Sequence, residues 1–325
     1  MPVNPKIQYF LEQMNTMPAA SMDQITPEAM RSLENAQLAA QQKETVEKVE
    51  DITIPLAGRN IPIRLYIPKG EGPYPALVFY HGGGWVLGSI ESHDAICREL
   101  ANLAACVVIS VEYRLAPEHK FPSAVNDAYE SLEWVASHAA ELGIDPDRIA
   151  VGGDSAGGNL ATVACLIAKE RNGPHVVHQL LLYPSAGPAT DYPSMAENGE
   201  GYLLTGEMMK WFQSHYLQNA EDRIHPYLSP ILSDNLEGLP STTILTAQYD
   251  PLRDVGIAYA EKLQSHGVEV FHKNYEDLIH GFANFTSFVP EARQAVVDGT
   301  EELKKAFALD KPTYLENENR LGAGR

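Results

Sequence analysis

Five short apolar runs, at residues 76–80, 106–111, 149–152, 180–183 and 243–247, are continuous rather than alternating. A strand with one wet face alternates apolar and polar side chains, so a continuous run belongs to a strand buried on both faces. Between the runs, residues 92–105, 122–142, 156–171 and 254–266 carry apolar residues at three- and four-residue spacing, the stripe of a helix packed on one side. Strand and helix in alternation predict an α/β chain with a mostly parallel sheet and helices on both faces.

The flanks follow other patterns. Ile52, Ile54, Ile61, Ile63, Leu65 and Ile67 alternate with polar residues around Gly58-Arg59-Asn60, which predicts an antiparallel hairpin at the sheet edge. Residues 1–45 read as two short helices, the second starting at Thr26-Pro27. A last strand is expected at 268–275 and a last helix at 291–307, with 311–325 a polar tail. Residues 187–240 interrupt the rhythm with a glycine- and proline-rich stretch, then a segment bearing Met208, Met209, Trp211 and Phe212. That segment reads either as a helix packed into the core or as a lid over an apolar pocket.

Composition removes several classes of function. Lysine plus arginine number 24 against 43 aspartate plus glutamate, a formal charge of −19, which disfavours nucleic acid and anionic membranes as partners. No run approaches the ~20 apolar residues of a membrane span and no signal-peptide pattern opens the chain, so the expected location is cytoplasmic. Cys97, Cys106 and Cys165 are odd in number and widely spaced, and read as buried apolar side chains. With no zinc-type or nucleotide-binding motif in place, no metal and no cofactor is expected.

Two glycine motifs carry the chemistry. After the run 149–152 the chain reads Gly153-Asp154-Ser155-Ala156-Gly157-Gly158 and enters a helical pattern. A serine hydroxyl becomes a useful nucleophile when held exposed at such a sharp strand-to-helix turn, where small neighbours relieve crowding and the helix amides face any developing charge. Alone the pattern arises by chance in about one chain in ten. After the run 76–80 stands His81-Gly82-Gly83-Gly84-Trp85, whose glycines let backbone N–H groups turn toward an oxyanion, and chance supplies such a run in well under one chain in about a hundred.

A serine at this turn needs a base and an orienting acid, which follow it in the order acid, then histidine. Asp250 directly follows an apolar strand, in Gln248-Tyr249-Asp250-Pro251-Leu252-Arg253-Asp254, on the nucleophile's side of the sheet. Asp254 is its rival, four residues later and ahead of a helix, where a carboxylate more often caps amides. Among later histidines, His175, His178, His266 and His272 sit in loop, strand or helix-end positions, and His215 and His225 lie in or beside the insertion. His280, in Asp277-Leu278-Ile279-His280-Gly281-Phe282, follows the final strand.

With these residues in place, the chain from about residue 49 to residue 307 resembles the bacterial hormone-sensitive lipase family of esterases, also through Tyr113-Arg114-Leu115-Ala116-Pro117-Glu118. The resemblance implies an α/β-hydrolase fold with a mostly parallel sheet of about eight strands and a helical cap. It implies core residues 46–186 and 241–310, a cap made of 1–45 and 187–240, and a tail at 311–325. It further implies Ser155 as nucleophile, His280 as base and acid, Asp250 as orienter, and the amides of Gly83, Gly84 and Ala156 as oxyanion hole. The implied substrates are carboxylic esters of short to medium acyl chains, the implied state a monomer or homodimer, and the implied role of 113–118 structural. Three other readings use the same residues: a binding protein on this scaffold, which retention of Ser155, Asp250 and His280 opposes; a peptidase or amidase; and a lipase acting on insoluble lipid.

Overall fold

The buried runs close into one eight-stranded sheet in the computed structural model, which describes residues 1–16, 21–37 and 43–309. The strands are β1 (Lys48–Leu56), β2 (Arg59–Ile67), β3 (Tyr74–Tyr80), β4 (Val107–Val111), β5 (Ile144–Asp154), β6 (His178–Leu182), β7 (Ser241–Tyr249) and β8 (Val270–Ile279). Their order is β1-β2-β4-β3-β5-β6-β7-β8, with β2 antiparallel to both of its neighbours, β1 and β4, and all the remaining pairs parallel. The expected mostly parallel sheet is therefore present.

The continuous runs have the two-sided burial that their pattern demands. On β3, Leu77 and Phe79 pack with Ile96 and Leu100 of α3 (Asp94–Ala104) and Val296 and Leu303 of α9 (Pro290–Leu309). Val78 and Tyr80 point the other way, toward α4 (Ser123–Ser137), α5 (Ala156–Arg171) and α8 (Arg253–Ser265). Cys97, Cys106 and Cys165 are buried free thiols, each pushed up in pKa by burial.

Two boundaries differ from the sequence expectation. The hairpin turns at Ala57-Gly58, because Leu56 already pairs with Arg59 and Gly58 takes φ +72°. Arg59 and Asn60 are therefore strand residues. The last strand runs to Ile279 rather than 275, since a register shift against β7 lets Tyr249 pair with Ile279 after the polar pair Glu276-Asp277. The expected tail at 311–325 lies outside the described residues.

The segment 113–118 ties the core together. Asp127 on α4, fully buried, accepts from Arg59 Nε (2.5 Å), Arg114 Nε (2.8 Å) and the Arg114 amide (2.9 Å). One carboxylate thus holds the edge hairpin, the loop after β4 and α4, with Glu130 of α4 pairing with Arg59 as well. Over the carboxyl ends of the strands lie α6 (Pro193–Asn198) and α7 (Gly206–Tyr216) from the insertion, and α1 (Pro5–Asn15) and α2 (Pro27–Gln37) from the N-terminus. Arg31 of α2 donates to the carbonyls of Val86 (2.9 Å) and Ala116 (2.7 Å) and pairs with Glu118, while Trp211 of α7 donates to Ile25 O at 3.0 Å. Ile7 and Leu11 of α1 instead bury into the sheet's α3/α9 face.

Candidate active site

Ser155 occupies the single residue between β5 and α5, at φ 54°, ψ −115°, a left-handed value that a non-glycine residue holds only when its surroundings over-determine it. Here the Ser155 amide donates to Leu182 O (2.9 Å), and its carbonyl accepts from the amides of Ser185 (3.0 Å) and Asn159 (3.1 Å). A Cβ on Gly157 would collide with the carbonyl oxygens of Tyr80 and His81, so the close passage of α5 over the end of β3 requires glycine there.

The acid and the base arrive from the next strand ends. Asp250 follows β7 and is 1% exposed; its Oδ1 accepts the Leu252 amide at 2.7 Å. His280 follows β8, with Nδ1 2.8 Å from Asp250 Oδ2 and Nε2 2.9 Å from Ser155 Oγ. The sequence-derived serine, acid and histidine therefore stand in one hydrogen-bonded line. Asp254 is elsewhere: it pairs with Arg253 (2.7 Å) and accepts the Ser194 amide (2.8 Å), so it caps the start of α6 rather than the helix α8 that it opens. The other histidines after Ser155 have their own partners or lie exposed: His178 between Ser241 and Thr243, His272 on Thr246, His266 on the Lys262 carbonyl, His215 on Trp211, His225 on Phe121, and His175 exposed.

The glycine loop after β3 faces the serine. Gly83 and Gly84 take φ +113° and +60°, and their amides, with that of Ala156, donate to no protein acceptor among the described residues. All three residues line the same cavity as Ser155. Three free amides beside a nucleophile can hold the negative oxygen of a tetrahedral adduct. The first residue of the motif has another function: His81 is buried, stacks on Tyr113 at 4.2 Å, and burial drives its pKa down to about 3. It stays neutral and structural.

Asp154, which the resemblance gives a role in supporting the serine turn, works with His93, and His93, Tyr183 and Asn198 escaped the sequence reading. Asp154 accepts the Gly82 amide at 2.7 Å and lies 3.1 Å from His93 Nε2, fastening the glycine loop to the residue beside Ser155. Burial opposes both charges, yet each partner's field wins, lowering the Asp154 pKa and raising that of His93. Tyr183, at φ 38°, sets its ring edge against His280 at 4.8 Å, and Asn198 Nδ2 donates to the carbonyls of Gln248 and Asp250. None of His93, Tyr183 and Asn198 has a local pattern that separates it from an ordinary buried polar or aromatic residue. Among the described residues no three His, Cys, Asp or Glu side chains gather as a metal site would need, and no helix is long and apolar enough to cross a membrane.

The site opens into a cavity of about 1330 Å³. Its walls come from α1 (Phe10, Met14), α2 (Met30, Leu33), α7 (Met208, Met209, Phe212) and Leu228, with the Phe212 ring pressed on Gly84. The space is shaped for an apolar ligand whose reactive group meets Ser155.

Comparison with known proteins places the chain among ester hydrolases. A family model described as the alpha/beta hydrolase fold matches residues 77–284. The carboxylic ester hydrolase LipN of Mycobacterium tuberculosis is 46% identical over 242 residues, 73% of this chain and 64% of that protein. The ethyl acetate hydrolase of Pseudomonas putida is 35% identical over 318 residues, covering 94% of this chain and 99% of that one. A hyperthermophilic esterase from the archaeon Pyrobaculum calidifontis superposes with a TM-score of 0.89 at 43% identity, over 94% of this chain and 99% of the other.

Proposed function

Because the chain belongs to the α/β-hydrolase family of carboxylic ester hydrolases of the hormone-sensitive lipase type, we propose that it hydrolyses carboxylic esters of short to medium acyl chains through an acyl-enzyme on Ser155. The line Ser155 Oγ, His280 Nε2, His280 Nδ1, Asp250 Oδ2, with contacts of 2.9 and 2.8 Å, is the observation that carries this reading. As Ser155 Oγ attacks the ester carbonyl carbon, its proton passes to His280 Nε2, and the carbonyl oxygen becomes an oxyanion facing the amides of Gly83, Gly84 and Ala156. The adduct collapses by breaking the bond to the alcohol oxygen, which takes the proton from His280. Water then enters, gives a proton to His280 and attacks the acyl carbon, and the second adduct breaks its bond to Ser155 Oγ, which takes the proton from His280 as the acid leaves. Asp250 keeps the Nδ1 proton in place and stabilises the imidazolium.

In this reading residues 1–45 and 187–240 form the cap over a core of 46–186 and 241–310, supported by the residues both cap segments supply to the cavity wall. The buried free thiols suit a reducing, cytoplasmic setting. The β8 edge, which has no neighbour beyond it in the sheet among the described residues, suits either a monomer or a dimer of identical chains.

The test is hydrolysis of p-nitrophenyl esters from two to sixteen acyl carbons by the wild type and by Ser155→Ala. Activity concentrated at short and medium chains and abolished in the variant is expected. Activity that survives in the variant would assign the nucleophile elsewhere, and a wild type inactive on every ester would remove the proposal.

A further inference from the structure

In a chain carrying 24 basic against 43 acidic residues, cations rarely lack a partner. Among the described residues, every lysine and arginine has a carboxylate, an oxygen acceptor or an aromatic ring beside it, except Lys69, Lys210 and Arg223. Two of these three meet at one place. Lys210 on α7 and Arg223 in the 3-10 turn Ala220–Ile224 line a cleft of about 250 Å³. The side-chain amide of Gln213, one helical turn beyond Lys210, joins them and also makes no hydrogen bond among the described residues.

The cleft is an annex of the catalytic cavity. Lys210, Gln213, Leu217 and Arg223 line both spaces, so a ligand reaching outward from Ser155 past Phe212 and Leu217 arrives among these donors. Of the neighbouring acids, Asp222 accepts the amides of Gln218 and Asn219, Glu207 accepts that of Met22, and neither of these nor the exposed Glu221 lines the cleft. An apolar passage ending in two unpaired cations and a free amide is complementary to an apolar chain ending in an anion.

Resting on the ester-hydrolase reading above, we infer that Lys210 and Arg223 bind a carboxylate at the far end of the substrate, so that esters carrying a remote carboxylate are a preferred class. Both cations are exposed, so the pairing occurs at a hydrated rim and escapes the desolvation penalty of a buried ion pair. Its effect falls on selection between substrates rather than on the bond-breaking step.

The experiment compares two pairs of substrate series: monoethyl esters of dicarboxylic acids against ethyl esters of matched monocarboxylic acids, and acetates of ω-hydroxy acids against acetates of matched alcohols. Wild type and the doubly reversed variant K210E/R223E are assayed at low and high salt, with thermal unfolding as the folding control. The expected result is a fall of about tenfold or more in kcat/KM for the anionic ester of one series at its best length, with the neutral counterpart within about twofold. High salt should reduce the wild-type preference and leave the neutral esters unmoved. Equal effects on anionic and neutral esters, or none on either, would overturn the inference and leave the esterase reading standing. A wild type that turns over neither the anionic nor the neutral esters would overturn both.

Discussion

His178 gives a quantitative prediction about acid stability. It lies on β6 between β6 and β7, with Nδ1 2.8 Å from Ser241 Oγ and Nε2 3.0 Å from Thr243 Oγ1. Ser241 Oγ donates its own proton to Val177 O, so the imidazole donates from Nδ1 and accepts at Nε2 as a neutral ring. Burial lowers its pKa from 6.5 to about 4. Between those values the unfolded chain binds the proton and the folded chain does not, so stability is full above the unfolded pKa and declines as pH falls toward the folded one. Integrated from about pH 8 to pH 5, the loss is about 2 kcal/mol for this residue. Glutamine can offer the same donor and acceptor to Ser241 and Thr243 without titrating. Urea unfolding of wild type and His178→Gln at both pH values, followed by intrinsic fluorescence, should show the wild type losing about 2 kcal/mol more than the variant over that interval. Parallel pH dependences would refute the argument, because the carboxylates and His81 titrate alike in both proteins.

Asp250→Asn should lower kcat by about 10⁴ with KM little changed, since the amide would face its NH₂ to Nδ1 and favour a tautomer whose proton blocks Nε2 from accepting from Ser155; steady-state kinetics within tenfold of wild type would end the orienting role. Gly157→Ala should unfold the elbow or lower Tm far more than Gly58→Ala, because the first Cβ meets the Tyr80 and His81 carbonyl oxygens and the second meets nothing, leaving only the cost of a positive φ, about 1 kcal/mol. Similar melting shifts in the two variants would contradict the close-approach argument.

What could be read from the sequence, and what could not, follows from the range over which each signal acts. Continuous apolar runs and helical stripes are set by burial within a few residues, so the parallel sheet and its two helix layers were legible from residues such as Val107–Val111 alone. The site was legible because its parts sit at strand ends. Ser155 after β5, Asp250 after β7 and His280 after β8 each follow a recognisable run, and parallel strands deliver such ends to one side of a sheet. The hairpin turn and the end of β8 were misplaced by a few residues because cross-strand register decided them, through Leu56 with Arg59 and Tyr249 with Ile279.

The partners that make the site work are a different matter. β3 and β5 are neighbours in the sheet although β4 intervenes in the chain, and that crossover places the Gly82 amide on the Asp154 carboxylate, 72 residues away. His93 joins them from the start of α3, Tyr183 leans on His280 from the end of β6, and α7 brings Phe212 onto Gly84. Each contact is created by strand order or by the return of an insertion, and neither has a periodicity. Substrate preference depends on the same non-local contacts: the catalytic line can be anticipated from three strand ends, whereas the passage from Ser155 to Lys210 and Arg223 exists only once α7 and the turn at Ala220–Ile224 have folded over it. Changes in the insertion should therefore redirect which esters are chosen while leaving the Ser155, His280 and Asp250 geometry in place, because that geometry hangs from the sheet.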